Sequence, residues 1–310
     1  MTESKTIDKK LSQSAAFHSI RAEHTAFNIL SARKWNPVHS PYYKDIISGK
    51  LRELDLSGRQ IWCKEIKRHK LIARIHIYVE IKSASAFHIL CAGETAQHSF
   101  GQNEYWPGYC DETKLKVQST LDSFGISLSK SRDYLHELDK LIFPKSTMLT
   151  APIRIQPMPA EQCYSAFRET DTNKEKDLDN SVLWRAISIL NSAINSAKSE
   201  SINKLLSDFT LELEMCRRQK ADLTQALNSI ESYSRAIDFY IPLVLIESRL
   251  WSALNHEPEE IPWFRFVQNN TFGASGNWTD VINSKYLDTY LSALSKYLEE
   301  TLSERDMTKL

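Results

Sequence analysis

The segment Leu71–Lys82 (LIARIHIYVEIK) constrains the fold most, because its side chains alternate between two types from Arg74 onward. Apolar residues occupy every second position from Ile75 to Ile81. The positions between and beside them are Arg74, His76, Tyr78 and Glu80. Successive side chains of a β-strand point to opposite faces of a sheet, so this period predicts a long strand with one apolar and one polar face.

Patterns around this strand predict a mixed α/β fold. Apolar residues recur at helical spacing over Leu11–Ala32, and Trp35-Asn36-Pro37 ends that helix because the residue before proline disfavours the α region. Strand-like runs follow at Leu51–Ile61 and Phe87–Cys91, and the polar residues 64–70 predict a hairpin connection.

The second half of the chain predicts helices with few strands. Amphipathic helices are expected at Ser181–Ala197, Ser201–Ser232 and Lys285–Leu302. The continuous apolar run Ala236–Glu247 is typical of a buried central strand, with Pro242 expected at a strand start or an edge. Trp263–Gln268 is a further candidate strand.

These patterns divide the chain into three regions. Residues 11–92 form the N-terminal part of a core. Residues 93–180 form a loop-rich insertion, with weak helical character at Lys114–Leu141 and a solvated polar loop at Glu169–Asn180. Residues 181–310 form a helical region that contributes a later core strand at about 236–247.

Composition narrows the functional classes. The 310 residues carry 39 basic and 39 acidic side chains, and a net charge of zero argues against a protein that coats nucleic acid electrostatically. The five scattered cysteines form no CxxC pair, which favours reduced thiols. The most apolar run, Phe239–Ile246, is too short to span a bilayer. We therefore expect a cytoplasmic protein with no membrane association.

Two acids and a lysine lie where they could form one site. Glu80 and Lys82 share a face of the long strand, and Asp55 lies in the strand predicted before it. If the two strands pair as a hairpin, Asp55 comes close to Glu80. Two carboxylates with an adjacent carbonyl suit a hard divalent cation such as Mg²⁺, and a nearby ammonium can orient a water for attack on a phosphodiester.

The acid-x-Lys tripeptide alone carries little information, because it recurs along the chain. It is found at Glu3/Lys5, Asp8/Lys10, Glu65/Lys67, Glu80/Lys82 and Glu112/Lys114. Glu80/Lys82 differs from the others in two ways. It lies at the end of a strongly alternating strand, and the strand predicted before it contains an acid, Asp55. The alternative interpretation is that Asp55 and Glu80 are ordinary solvent-facing acids, paired with Lys82 or Arg52.

The order Gly49-Lys50-Leu51-Arg52-Glu53-Leu54-Asp55, followed by Tyr78-Val79-Glu80-Ile81-Lys82, resembles the PD-(D/E)xK restriction-endonuclease-like superfamily. The resemblance is to the version whose first motif reads Arg-Glu-Ile-Asp; here Leu54 stands in place of isoleucine. It covers residues 11–92, with Phe239–Ile246 as a later core strand.

This resemblance implies a restriction-endonuclease-like αβββαβ core with a large helical insertion and C-terminal helices. It also implies that Asp55 and Glu80 bind Mg²⁺, with Mn²⁺ as the alternative ion, and that Lys82 positions the attacking water. A glutamate on the first helix joins the site in many relatives, and Glu23 is the matching candidate. Glu53 is a further candidate to assist.

The expected function is a metal-dependent endonuclease that acts on DNA, as an effector in prokaryotic defence against foreign DNA. Its expected partners are nucleic acid, a second copy of the chain for two-strand cutting, and proteins of a defence system. One alternative is a catalytically silent nuclease-fold subunit that binds nucleic acid or acts as a scaffold. A third is a helical interaction protein in which residues 181–310 carry the function.

Overall fold

The computed structural model describes eleven stretches of the chain. They are residues 14–66, 69–82, 87–94, 104–105, 111–126, 163–171, 174–175, 181–220, 236–253, 257–268 and 277–304. Within them the chain is mixed α/β, as the sequence patterns predict. Two predicted helices, Lys114–Leu141 and Ser201–Ser232, are described only in part: residues 127–141 of the first and 221–232 of the second lie outside the described residues.

Four helices and fourteen strands make up the described structure. The helices are α1 (Ala15–Ala32), α2 (Asp111–Ser123), α3 (Val182–Gln219) and α4 (Leu287–Glu304), the last preceded by a 3₁₀ turn, Ser284–Tyr286. The strands of the first half are β1 (Val38–His39), β2 (Tyr42–Lys44), β3 (Leu51–Glu53), β4 (Leu56–Ile66), β5 (His69–Lys82), β6 (Phe87–Glu94) and β7 (Glu104–Tyr105). Those of the second half are β8 (Cys163–Asp171), β9 (Lys174–Glu175), β10 (Ala236–Ile246), β11 (Leu250–Ser252), β12 (Glu259–Ile261), β13 (Trp263–Gln268) and β14 (Asn277–Asn283).

One mixed sheet of twelve strands organises the fold. Its order is β1-β4-β5-β10-β14-β13-β8-β6-β11-β12, with β7 paired to β10 and β9 paired to β8. Strands β4 and β5 form an antiparallel hairpin, whereas β10 runs parallel to β5 and β14 runs parallel to β10. Strands β2 and β3 form a separate two-stranded hairpin just before Asp55. The polar connection between β4 and β5 is shorter than predicted, since β4 reaches Ile66 and β5 begins at His69.

The alternation of β5 separates two hydrophobic cores, one on each face of the sheet. Ile75, Ile77 and Val79 are fully buried in the first core, which α1 and α4 cover. Tyr78 packs against the second core, to which α3 contributes several leucines, isoleucines and alanines. The prediction of a two-faced strand is confirmed. Both faces are covered, however, so the polar positions of β5 lie between sheet and helix instead of facing solvent.

Strand β10 is the buried central strand that its apolar run predicts, since all eleven of its residues are buried. Pro242 lies within the strand and not at its start. On the side away from β5, β7 pairs with Asp238 and Phe239, and the pairing with β14 begins at Leu243. Pro242 therefore falls between these two pairings. A residue without an N–H is tolerated at such a local edge.

Helix α3 is a single helix of 38 residues where the sequence predicts two. Its N-terminus is capped by Ser181, and Glu169 of β8 accepts hydrogen bonds from the N–H groups of Val182 and Leu183 at 3.0 and 2.6 Å. A carboxylate at a helix N-terminus satisfies backbone donors and complements the helix dipole. The expectation of a solvated loop at Glu169–Asn180 is therefore wrong at Glu169, which is buried.

The sheet draws strands from all three regions that the sequence patterns separate. Strand β8 of the predicted insertion pairs with β6 and β13, and the C-terminal region supplies five strands. Short or polar strands such as β11, β12 and β14 escape prediction because they lack a long apolar period. Within the described part of the chain, no helix is both long enough and apolar enough to cross a membrane.

Candidate active site

The β4–β5 ladder brings the first acid opposite the second. Leu56 pairs with Val79 in the antiparallel register, so the next pair outward is Asp55 with Glu80. Asp55 itself lies in a bend between β3 and β4, one residue before the strand that the sequence assigns it to. Directly opposed residues of an antiparallel pair lie on the same face, and the two carboxylates therefore meet at one end of the hairpin.

Three side chains converge there. The ammonium of Lys82 lies 2.7 Å from Oε2 of Glu80 and 3.8 Å from Oδ2 of Asp55. The same Oδ2 accepts a hydrogen bond of 2.6 Å from the backbone N–H of Ile81. The lysine thus bridges two carboxylates that lie on separate segments of the chain, as the hairpin interpretation requires.

Glu80 is buried, which separates it from an ordinary strand acid. Its exposed fraction is 2%, whereas the side chains of Asp55 and Lys82 are 28% and 23% exposed. Burial raises the pKa of Glu80 to about 7, the charge of Asp55 adds to that rise, and Lys82 opposes it. The site therefore holds a buried carboxylate whose ion pair with Lys82 does not fully offset the cost of burial, beside two partly exposed side chains.

The alternative of solvent-facing acids does not describe Glu80, and Arg52 does not pair with either acid. Nε of Arg52 lies 2.6 Å from Oδ2 of Asp45, on the β2–β3 hairpin. The phenol of Tyr43 on β2 donates a hydrogen bond of 3.4 Å to the carbonyl of Ile189 on α3, and its pKa is raised mainly by burial, with a smaller contribution from the charge of Glu80. The β2–β3 hairpin and α3 thus form one wall beside the acids.

Glu23 is not in contact with the other three residues. It lies on α1, where Oε1 accepts a hydrogen bond of 3.1 Å from Ser19 and Oε2 lies 3.6 Å from Nε2 of His39. His39 pairs with Leu56 in the β1–β4 ladder, so Glu23 lies near the start of β4 without touching Asp55. Glu53 is exposed at the end of β3.

The donor set fits a hard divalent cation with few protein ligands. Asp55 and Glu80 offer carboxylate oxygens, and Mg²⁺ is commonly held by one or two carboxylates with its other positions filled by water and substrate phosphate. Among the described residues, no group of three or more His, Cys, Asp or Glu side chains could hold a metal ion. A two-carboxylate site has fewer ligands than such a group requires. The buried charge of Glu80 is the feature that a cation would compensate.

A second polar cluster lies further back along the polar face of β5. Asp238 of β10 is 2% exposed and accepts hydrogen bonds from Nη2 of Arg74 at 2.7 Å and from Ser201 of α3 at 3.2 Å, while Nε2 of His76 lies 3.0 Å away. Nε of Arg74 lies 2.6 Å from Oδ1 of Asp238, at ion-pair distance without hydrogen-bond alignment. Burial opposes ionisation of Asp238, but His76 and Arg74 outweigh it and lower its pKa.

This cluster is not among the sites that the sequence patterns predict. One signal was present, since Asp238 is the acid inside the apolar run of β10, and a buried acid there needs partners. The cluster ties α3 to the sheet, and so it holds the wall beside Glu80 in place.

Comparisons with protein-family models, with curated proteins and with solved structures find no match for this chain.

Proposed function

We propose that this chain is a Mg²⁺-dependent endonuclease that hydrolyses phosphodiester bonds of DNA. The observation that carries the proposal is the convergence of Asp55, Glu80 and Lys82 at one end of the β4–β5 hairpin, with Lys82 2.7 Å from one carboxylate and 3.8 Å from the other. Two acids and a lysine in this arrangement are the groups that metal-assisted phosphodiester hydrolysis uses.

The topology around the trio supports the same proposal. Helix α1 precedes β1, β4 and β5, which pair in that order in the sheet, and β10 follows α3 and runs parallel to β5 with Val244 beside Glu80. This succession agrees with the αβββαβ order that the resemblance to the PD-(D/E)xK superfamily implies. The further strands β6, β8 and β11–β14 extend the sheet beyond such a core.

Each residue has a distinct chemical task in this proposal. Asp55 and Glu80 would hold Mg²⁺ through their carboxylate oxygens. Bound there, the ion would supply Lewis acidity and lower the pKa of a bound water. Lys82 would orient the attacking water and offset negative charge on the phosphate, because its ammonium is held between the two acids.

The direct test is cutting of supercoiled plasmid by the purified full-length chain in Mg²⁺, with Mn²⁺ and EDTA in parallel. We expect Asp55→Ala, Glu80→Ala and Lys82→Ala each to lower the cutting rate on the order of 100-fold or more. The matched control is Glu112→Gln, which alters the same acid-x-Lys pattern on α2, where Glu112 is 58% exposed and pairs with Lys116. This control should cut like the wild type.

Two results would overturn the proposal. One is cutting that survives all three substitutions unchanged, which would point to a contaminating nuclease. The other is a wild-type chain that cuts neither plasmid, single-stranded DNA nor RNA with either ion. Cutting of RNA but not of DNA would change the proposed substrate to RNA and leave the proposed catalytic residues unchanged.

The silent-subunit alternative is favoured by one feature of the same site. Lys82, Glu80 and Asp55 satisfy one another, and Asp55 is bonded to a backbone N–H in addition. In that case the trio would be an ion-pair network that locks the hairpin, and the chain would bind DNA without cutting it. Binding of DNA with no cutting in either ion would favour this alternative.

Glu23 is kept in the proposal as the glutamate that the resemblance implies. Its present partners are Ser19 and His39. Glu23→Gln should lower the cutting rate if this carboxylate joins the site when metal and DNA bind. Full activity of that variant would remove Glu23 from the site and leave the trio intact.

A further inference from the structure

A cleft of about 280 Å³ opens on the α1 side of the sheet, at the carboxyl ends of β5, β10 and β14. Buried apolar residues form its inner wall, among them Ala26, Ile81 and Leu245. Exposed polar side chains form its rim, among them His18 and Arg21 of α1. Clefts outside the carboxyl ends of parallel strands are common ligand sites in α/β proteins.

The cleft lies on the opposite face of the strand ends from the candidate active site, and two backbone hydrogen bonds link residues that line the cleft to residues of the site. Ile81, which lines it, lies between Glu80 and Lys82 and donates its N–H to Asp55. Glu247, on the rim, donates its N–H to the carbonyl of Lys82 at 3.4 Å. A group seated in the cleft would therefore lie one strand thickness from the two acids, on the other side of the strand end.

Size and charge indicate what the cleft would hold. Its volume lies just below the roughly 300–1,000 Å³ of pockets that enclose drug-sized ligands, so it suits one flat group. An apolar inner wall suits the face of a nucleobase, and a guanidinium at the rim suits a phosphate. Arg21 supplies that guanidinium. The other charged rim residues are Glu247 and Lys285, which bonds Glu260 at 3.1 Å.

We propose that this cleft binds the nucleotide next to the scissile phosphate, with its base against the inner wall and its phosphate beside Arg21. A base paired in a duplex cannot enter a cleft of this size without leaving the stack, and unstacking costs a few kcal/mol. The preferred substrate is therefore DNA with an unpaired nucleotide at the cut, such as a single strand or a frayed end. The position of the cut in this inference rests on the proposed nuclease function, but binding itself is independent of cutting.

The test is binding without metal. A fluorescein-labelled single-stranded DNA of about ten nucleotides, and a blunt duplex of the same sequence, are titrated with the full-length chain in EDTA, and anisotropy gives the Kd. Thr25→Trp fills the cleft from an exposed position on α1, and we expect it to weaken single-strand binding about tenfold. Asn28→Trp is its control, exposed on the same helix and not among the cleft residues, and should change Kd less than about twofold.

A charge reversal tests the rim separately and covers the case in which Thr25→Trp does not fold. Arg21→Glu should weaken single-strand binding about tenfold. Lys296→Glu reverses an equally basic position on α4 that is 78% exposed and does not line the cleft, and it should leave Kd within about twofold. Circular dichroism melting of all four variants identifies any that are unfolded.

The outcomes separate this inference from the nuclease proposal. Wild-type affinity of both Thr25→Trp and Arg21→Glu for single-stranded DNA would overturn nucleotide binding in the cleft, even if Asp55→Ala abolishes cutting. No measurable binding of either DNA by the wild type overturns it as well. Weakened binding in both variants supports the cleft even if no plasmid is cut. Equal wild-type affinity for single strand and duplex overturns the preference for an unpaired nucleotide.

Discussion

The carboxylate of Asp55 accepts a hydrogen bond of 2.6 Å from the backbone N–H of Ile81, the residue between Glu80 and Lys82. This bond closes the open end of the β4–β5 hairpin. It also holds Asp55 beside Lys82, at 3.8 Å. The hydrogen bond gives the first acid a structural role, and the proposed nuclease function assigns its charge a second, chemical role.

Replacing Asp55 by asparagine should separate these roles. The amide oxygen of the introduced asparagine can accept the same N–H, so we expect the free energy of unfolding to change by less than about 1 kcal/mol. The lost charge should still lower plasmid cutting on the order of 100-fold. Urea unfolding and a cutting assay on the same preparation measure the two effects.

Asp55→Ala is the comparison, because it removes both the charge and the hydrogen bond. It should be less stable than Asp55→Asn by about 1 kcal/mol and equally inactive. If Asp55→Asn cuts like the wild type, the charge of this residue has no part in the chemistry.

Glu80→Gln should stabilise the metal-free chain while it abolishes cutting. The pKa of Glu80 is raised from 4.5 to about 7, chiefly by burial, so the folded chain binds this proton more tightly than the unfolded chain does. The free energy of unfolding of the wild type therefore falls as pH rises from 4.5 to about 7. A glutamine avoids that loss, and we expect a gain of about 1–3 kcal/mol at a pH of about 8 in EDTA.

Chemical unfolding of Glu80→Gln at about pH 5 and about pH 8 tests this expectation, since the gain should be smaller at the lower pH. Glu112→Gln, at an exposed acid, should show no gain at either pH. A Glu80→Gln variant less stable than the wild type at the higher pH would mean that the ion pair with Lys82 outweighs the cost of burial.

Lys198 of α3 is expected to destabilise the fold near neutral pH. Burial lowers its pKa from 10.5 to about 8, and its ammonium lies 6.0 Å from the centre of the Tyr240 ring. Between about pH 8 and pH 10.5 the unfolded chain binds more protons at this group than the folded chain does. Its contribution to the free energy of unfolding therefore rises with pH across that window.

Lys198→Met should raise the free energy of unfolding by about 1–3 kcal/mol at about pH 7 and by less at about pH 10. The control is Lys204→Met on the exposed side of the same helix, which should have little effect at either pH. Denaturant unfolding at the two pH values measures both variants. A loss of stability in Lys198→Met at the lower pH would show that the ammonium is stabilised by its surroundings.

The buried ion pair of Arg265 on β13 and Asp280 on β14 joins two strands of the sheet, and Tyr290 of α4 bonds to the same carboxylate. Two hydrogen bonds of 2.7 Å join the side chains, Arg265 is 1% exposed, and the hydroxyl of Tyr290 donates to Asp280 at 2.5 Å. Asp280→Ala leaves a buried guanidinium without its carboxylate, and we expect it to cost about 3–5 kcal/mol. Thermal unfolding measures the loss.

The exposed pair of Arg33, at the end of α1, and Asp288 of α4 is the control, because it has the same charges but is not buried. Asp288→Ala should leave the melting temperature almost unchanged, since solvent screens that pair. The double variant Arg265→Met/Asp280→Leu should recover much of the stability that Asp280→Ala loses. A double variant as unstable as the single one would show that charge is not the cause.

The strands β5, β10 and β13 could be predicted from the sequence, because each carries a period or an apolar run that local side chains define. The convergence of Asp55 with Glu80 and Lys82 also followed from the hairpin interpretation of two neighbouring strands. The single helix α3 and the strands β8, β11, β12 and β14 could not be predicted. The strands are short or polar, and they are stabilised by pairing with strands far away in the chain. The helix was predicted as two helices because its helical periodicity weakens near the middle.

Alternation by itself determined which residues of β5 share a face, since side-chain direction follows from backbone geometry at every second residue. Only the tertiary structure decided what covers each face. It packed α3 and the β2–β3 hairpin into the core on the Tyr78 side of the sheet, set Asp238 beside Arg74 and His76, and left Glu23 in contact with Ser19 and His39. Burial, and with it the raised pKa of Glu80, depends on contacts between segments far apart in the chain, and no local pattern encodes them.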